Sequence, residues 1–244
     1  MKTTLSLWGG VDTVISIHSV KLGISKCYLI RDKGSIMIDA GPPRSERAIQ
    51  RWFKAIDLAP KDLQLVVLTH GHFDHAGTAR WLKEFTGASI AIHEMEREWL
   101  GNGTLVYPEA VTAWGRVMIS LVKLAKPWIR FSGVRADIVL GSEGLDLAKY
   151  GIAGEVIHTP GHTSGSVSVL LETGEAFVGC LAHSNFPFRY GPGLPILADE
   201  PQRLKSSWKA ILEKGAETIY PAHGKPFSAE VIRGILQESP DNRS

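Results

Sequence analysis

The sequence predicts an α/β fold, a sandwich of two strand-rich halves with helices on both outer faces. Three observations carry this. Short apolar or β-branched runs bounded by Gly, Pro or Asp recur in both halves. Stretches with apolar residues at helical spacing follow them in each half. No Pro-, Gly- or Ser-rich tract divides the 244 residues, so 1–244 reads as a single domain. A chain of this length with 44% hydrophobic residues can bury a sizeable core.

The elements follow in order. Val11 to Val20 is rich in β-branched residues and predicts a strand. Ser25 to Arg31 and Ser35 to Asp39 predict two more, joined by a turn at Lys33-Gly34. Cys27 lies in the first of these and reads as a buried small hydrophobe. Gly41-Pro42-Pro43 ends the unit. Ser45 is the expected cap of a helix to about Asp57, with Ile49, Trp52, Phe53 and Ile56 at helical spacing. Leu65 to Leu68 is a short apolar strand, Thr69 to Gly77 a polar loop, Ala79 to Phe85 a helix and Ser89 to His93 a strand.

Glu94 to Arg130 reads as mostly helical. Val111, Trp114, Val117, Met118, Leu121, Val122 and Leu124 form a wide apolar stripe, either a core-facing helix or an apolar lid over a site. In the second half, Glu155 to His158, Ser166 to Leu171, Ala176 to Gly179 and Thr218 to Tyr220 predict strands. Pro201 to Glu213 and Ser228 to Gln237 predict helices.

Composition narrows the function. Charged residues make up 21%, the net charge is +2, and no run of five like charges occurs, which argues against a nucleic-acid partner. No apolar window reaches the length of a membrane span, so no stable membrane insertion is expected. The first residues lack the long apolar core of a signal peptide, and the expected compartment is cytoplasmic. Two cysteines make no disulfide framework.

The chemistry concentrates in Thr69-His70-Gly71-His72-Phe73-Asp74-His75-Ala76-Gly77. Imidazole and carboxylate are ligands that zinc accepts. Alternation along an extended segment lets His70, His72 and Asp74 converge, and His75 joins them if a turn or helix begins just after Asp74. A histidine-rich surface loop is the bland alternative, and four potential ligands at this spacing weaken it. Two further strand ends present histidine: Thr159-Pro160-Gly161-His162-Thr163-Ser164-Gly165-Ser166 and Tyr220-Pro221-Ala222-His223-Gly224. Sites in layered α/β folds gather at such ends.

The order HxHxDH, PGHT-x-G-S, a strand ending in Gly179-Cys180, then P-x-HG resembles the metallo-β-lactamase superfamily. The resemblance runs from the Ile38-Asp39-Ala40-Gly41 turn to His223. It implies a four-layer αββα sandwich with a metal site, usually binuclear, at one edge of its two sheets. It implies a first metal held by His70, His72 and His162, with Asp74, His75 and His223 contributing to a second. The chain departs from the commonest pattern at Cys180, where most family hydrolases carry an aspartate. There it is similar to the cysteine-containing zinc β-lactamases, in which the second zinc would sit on Asp74, Cys180 and His223. A thiolate favours zinc over harder ions, so one or two Zn2+ ions are expected. A buried, unligated Cys180 is the alternative.

The remaining titratable groups sort less sharply. His18 and His93 read as structural, and His158 as structural or as a support for a ligand. Asp39 reads as a turn-fixing carboxylate that could hold a ligand's outer ring nitrogen. His183, expected in the loop after Cys180, matches the position of a substrate-contacting tyrosine in the family's lactonase branch. It is either an oxyanion donor or auxiliary ligand, or a solvated loop residue.

The implied function is a zinc-dependent hydrolase attacking an ester, thioester or lactone carbonyl with a metal-bound hydroxide, with Asp74 and His183 as catalytic candidates. The apolar stripe and Phe186-Pro187-Phe188-Arg189-Tyr190 favour a small-molecule acyl or lactone-type substrate. The alternatives are a β-lactam hydrolase and a metal-binding module without hydrolytic activity. A homo-oligomer stays open.

Overall fold

The computed structural model describes residues 15–238. In these, two six-stranded sheets form. The first runs in spatial order β1 (Ser16–Leu22), β2 (Ser25–Arg31), β3 (Ser35–Ile38), β4 (Leu65–Val67), β5 (Ser89–His93), β6 (Ile138–Leu140). Its first three strands are antiparallel and β3 to β6 parallel. The second sheet contains β7 (Leu145–Asp146), β8 (Gly154–His158), β9 (Val167–Leu171), β10 (Glu175–His183), β11 (Thr218–His223) and β12 (Phe227–Ser228), neighbours in that order. Only β10 and β11 pair parallel in it. The helices are α1 (Glu46–Ala55), α2 (Phe73–Ala76), α3 (Ala79–Thr86), α4 (Arg97–Asn102), α5 (Ala113–Leu124), α6 (Leu204–Glu213) and α7 (Glu230–Gln237).

Strand alternation builds three apolar layers. Tyr28, Ile30, Ile36, Ile38, Leu65 and Val67 of the first sheet meet Val167, Val169, Leu171, Phe177 and Tyr220 of the second. The intervening positions Cys27, Leu29, Met37 and Val66 turn outward onto Ile49, Trp52 and Phe53 of α1 and Leu82 of α3. Val178 and Ile219 turn the other way onto Trp208, Ile211 and Ile232 of α6 and α7. This is the expected αββα sandwich, and Cys27 is fully buried in it.

Several boundaries move. Residues 11–14 of the Val11–Val20 strand lie outside the described residues, and β1 runs on to Leu22. Ser45 does not cap α1 through its side chain; its hydroxyl donates to the Pro42 carbonyl at 2.7 Å. The short strands β6, β7 and β12 were not expected. The mostly helical 94–130 stretch is broken by an irregular segment between α4 and α5. None of the expected stripe residues is buried: Met118 and Val122 are half-buried, the other five exposed, and the residues that α5 buries are Gly115 and Ile119. Strands β10 and β11 extend three or more residues past their expected ends, to His183 and His223.

Candidate metal centre

Four chain segments deliver the candidate donors. The β4 end leads into His70 and His72. Helix α2 begins at Phe73, two residues earlier than a turn starting just after Asp74, so Asp74 and His75 both lie in its first turn and both turn inward. The β8–β9 loop supplies His162, and the ends of β10 and β11 supply Cys180, His183 and His223. All eight side chains are buried. Their donor atoms group, within 4.8 Å of one another, as His70-His72-His162, His70-His75-Cys180, Cys180-His183-His223 and Asp74-His75-His223.

The ring nitrogens show how each imidazole is aimed. Carbonyl and carboxylate oxygens carry no proton, so a ring nitrogen facing one must be the donor. His162 Nδ1 donates to the Leu197 carbonyl at 2.8 Å, and His223 Nδ1 to the Ile24 carbonyl at 2.9 Å. His75 Nδ1 donates to Asp39 at 2.7 Å. Asp39 also takes the Thr69 hydroxyl at 2.9 Å, and Thr69 Oγ1 sits 3.1 Å from His70 Nδ1. Each of these rings therefore keeps Nε2 for the interior. His70 Nε2 has no protein partner, and His162 Nε2 lies 3.1 Å from His72 Nδ1. Outer nitrogens held by oxygen and inner lone pairs converging is how metal-ligating histidines are arranged.

Asp39 holds this frame from a φ of 61°, in the left-handed region, where its carboxylate also accepts the Thr69 N–H at 2.8 Å. Electrostatics divides the cluster. Burial lowers His70 to about 4 and takes His72 well below its usual range. Burial opposes ionisation of Asp74, but the charges of His75 and His223 outweigh it and hold the carboxyl low. Likewise Cys180 is held well below the thiol range against burial by the charges of His223, His162 and His75. Against its own burial, His223 is raised to about 10 by Cys180 and Asp74. A carboxyl and a thiol, both held toward their anions, thus face imidazoles in a buried site.

His183 is not the loop residue expected from sequence. It ends β10, is 1% exposed, and neither ring nitrogen has a hydrogen-bond partner. Burial lowers it to about 4, so the ring is neutral at pH 7. Cys180 and His183 are three apart, and regular strand alternation would send them to opposite faces. The β10–β11 register slips between Gly179 and His183, and both side chains reach the same cluster.

Sequence reasoning missed Glu96. It follows β5 as part of a 3-10 turn and reads as a solvent-facing acid, yet it is fully buried. Its carboxyl accepts from the Gly71 N–H and the Thr163 hydroxyl, tying the His70–His72 loop to the His162 loop. Burial raises it to about 7, against those two hydrogen bonds. Nearby, His93 and His158 stack at 4.2 Å, and His158 Nε2 donates to the Ser164 carbonyl.

A cavity of about 50 Å³ opens over the donors, walled by Ile24, Tyr107, Ile119, Val122, Phe188 and Leu197. A larger groove of about 790 Å³ runs between β1–β2 and β11–β12. None of the donor groups lies in it, so volume alone does not mark the site.

The match to known proteins follows the same residues. The metallo-β-lactamase superfamily model matches residues 20–223. The chain belongs to that superfamily. It is 28% identical over 208 residues to a probable metallo-hydrolase of Methanocaldococcus jannaschii, covering 82% of this chain and 88% of that one. It is 31% identical over 182 residues to a hydroxyacylglutathione hydrolase of Haemophilus influenzae, covering 71% and 76%. The fold superposes on the BLEG-1 B3 metallo-β-lactamase with a TM-score of 0.67 at 22% identity, covering 94% of this chain and 100% of that one. Family and donor set together make the chain a metal-dependent hydrolase.

Proposed function

We propose that the chain is a zinc hydrolase of esters, thioesters or lactones with an apolar acyl part. The observation that carries this is the pairing of inward-facing donors with an apolar cavity directly above them. The donors fit zinc: imidazoles, one carboxylate and a thiol already held toward its anion. His70, His72 and His162 would hold one ion, and Asp74, His75, Cys180 and His223 a second. Zinc bound there would supply a Lewis acid and water that ionises near neutral pH.

The protein's own groups do the rest. Ionised Asp74 accepts a hydrogen bond from the attacking water and orients it. Neutral His183 donates an N–H toward the carbonyl oxygen as negative charge develops there. Ile119, Val122 and Leu197 exclude bulk water and receive the acyl group. Among the described residues no lysine or arginine lines this cavity, and its walls away from the donors are mostly apolar. That favours a neutral acyl group over a β-lactam, whose ring carboxylate needs a cation.

The test is a panel of soluble esters, thioesters, lactones and a chromogenic cephalosporin, run with zinc-loaded and metal-stripped protein. Zinc-dependent turnover of apolar acyl compounds is expected. His183→Phe should keep its zinc and lose roughly 10²-fold or more in kcat, as removal of an oxyanion donor does. Equal turnover without metal, or turnover of the cephalosporin alone, would overturn the proposal.

A further inference from the structure

Among the described residues the fold leaves a contiguous apolar surface uncovered. On α5, Val117, Leu121 and Leu124 are 48%, 56% and 75% exposed, and Trp128 in the next turn is 64% exposed. With Trp114 they recur at intervals of three and four, a single stripe opposite buried Gly115 and Ile119. The 186–190 segment joins this face. The Trp114 indole N–H donates to the Pro187 carbonyl at 2.6 Å, and Phe186 and Tyr190, both exposed, lie ring to ring at 5.4 Å. Apolar residues scattered singly need no explanation, but a contiguous set marks a contact surface.

Charge says what that contact is. Along the stripe itself, from 111 to 128, the chain carries Arg116, Lys123 and Lys126 and no acidic residue. Beside the 186–190 segment, a groove of about 290 Å³ is lined by Lys21, Lys26 and Lys225 and by no carboxylate. It shares Ile24 and Phe188 with the cavity over the donors. A second copy of this face would set cations against cations. An anionic lipid surface accepts both features, with apolar side chains entering the acyl boundary and lysines and arginines meeting headgroups.

We propose that α5, the 186–190 segment and the lysine-lined groove dock the mouth of the cavity onto an anionic lipid surface. Ile119 and Val122 of the same helix line the cavity, so docking would bring membrane-dissolved amphiphiles to it directly. Only that last step rests on the hydrolase reading. Docking does not require a span, and among the described residues no helix is long and apolar enough to cross a membrane.

Co-sedimentation with sucrose-loaded vesicles tests it, using phosphatidylcholine alone and phosphatidylcholine with about 30% phosphatidylglycerol. Wild type should sediment with the anionic vesicles only, and less as salt rises. Arg116→Gln with Lys126→Gln should lower the partition coefficient roughly 25-fold, at roughly fivefold per cation. Leu121→Gln with Leu124→Gln should abolish sedimentation. All variants should keep wild-type circular dichroism and wild-type turnover of a soluble short-chain thioester. Wild type that stays in the supernatant with both vesicles, or a Leu121→Gln, Leu124→Gln variant that sediments like wild type, would overturn docking. So would a wild-type dimer that this variant dissociates. Sedimentation is read whether or not any thioester is cleaved, so the two proposals fail separately.

Discussion

Glu96→Gln makes a quantitative prediction about how the two histidine loops are joined. The carboxyl is fully buried and is raised from 4.5 to about 7. An acid whose folded pKa lies above its unfolded value stabilises the fold most below the lower value, and that contribution is lost as pH rises through the higher one. The full loss over 2.5 units is about 3 kcal/mol, at 1.36 kcal/mol per unit. Glutamine keeps both contacts: its oxygen accepts the Gly71 N–H and its amide donates to Thr163 Oγ1. Thr163 Oγ1 lies 2.8 Å from Ser166 Oγ, to which its own hydroxyl can then donate. Having no charge to bury, the variant escapes the loss. Urea denaturation of both proteins at equal metal loading should show the stability of Glu96→Gln rising relative to wild type by about 2 to 3 kcal/mol between about pH 5 and about pH 8.5. Taking the difference removes the titration of histidines common to both. A difference constant to within about 0.5 kcal/mol across that window would refute the reasoning, because Glu96 would then be ionising as an exposed acid does.

Three further outcomes are expected. Cys180→Ala should lose about one zinc equivalent by elemental analysis while the His70-His72-His162 set keeps its own, and an unchanged load would leave the thiol unligated. Asp39→Asn cannot accept from both Thr69 and His75, so zinc affinity measured against a competing chelator should fall about 10- to 100-fold; wild-type affinity would mean that His75 is oriented without it. Gly179→Ala should be destabilised by roughly 1 to 3 kcal/mol in urea, from a φ of 53° and a Cβ that would sit 2.5 Å from Thr69 Oγ1, and a wild-type midpoint would contradict the close approach of β10 to Thr69.

The layers of this fold are written in local pattern. Tyr28 and Ile30 alternate with Cys27 and Leu29, and the two sets fill two different cores. His70, His72, Asp74, His75, His162 and His223 could be picked out because each lies at or just beyond the end of a strand that the pattern reveals, beside Gly or Pro, whereas Cys180, inside β10, was marked only by the family resemblance. Glu96 could not. Its partners are Gly71 and Thr163, 25 and 67 residues away, and nothing around it distinguishes a buried acid from one in the exposed first turn of a helix. The α5 stripe was equally opaque. A helical period of apolar residues shows that one face is apolar but not whether protein, cavity or solvent faces it, and here Ile119 takes the interior while Leu124 is left outside.

His183 illustrates the same limit within a strand. A period of two sorts residues onto faces only while the ladder stays in register. Between Gly179–Pro221 and His183–His223, four steps along β10 pair with two along β11. The excess residues bend β10 toward Thr69, at a glycine where a side chain would collide with it. Thr69 in turn contacts Asp39 and His70, so the slip that turns Cys180 and His183 into one cluster also brings that strand against the frame aiming the first histidines. A regular β10 would put one of these two side chains into the α6 layer beside Trp208, where an imidazole or thiolate would have no partner. The site therefore depends on an irregularity in pairing as much as on the identity of its donors, and restoring regular register should disperse the cluster even with every donor residue retained.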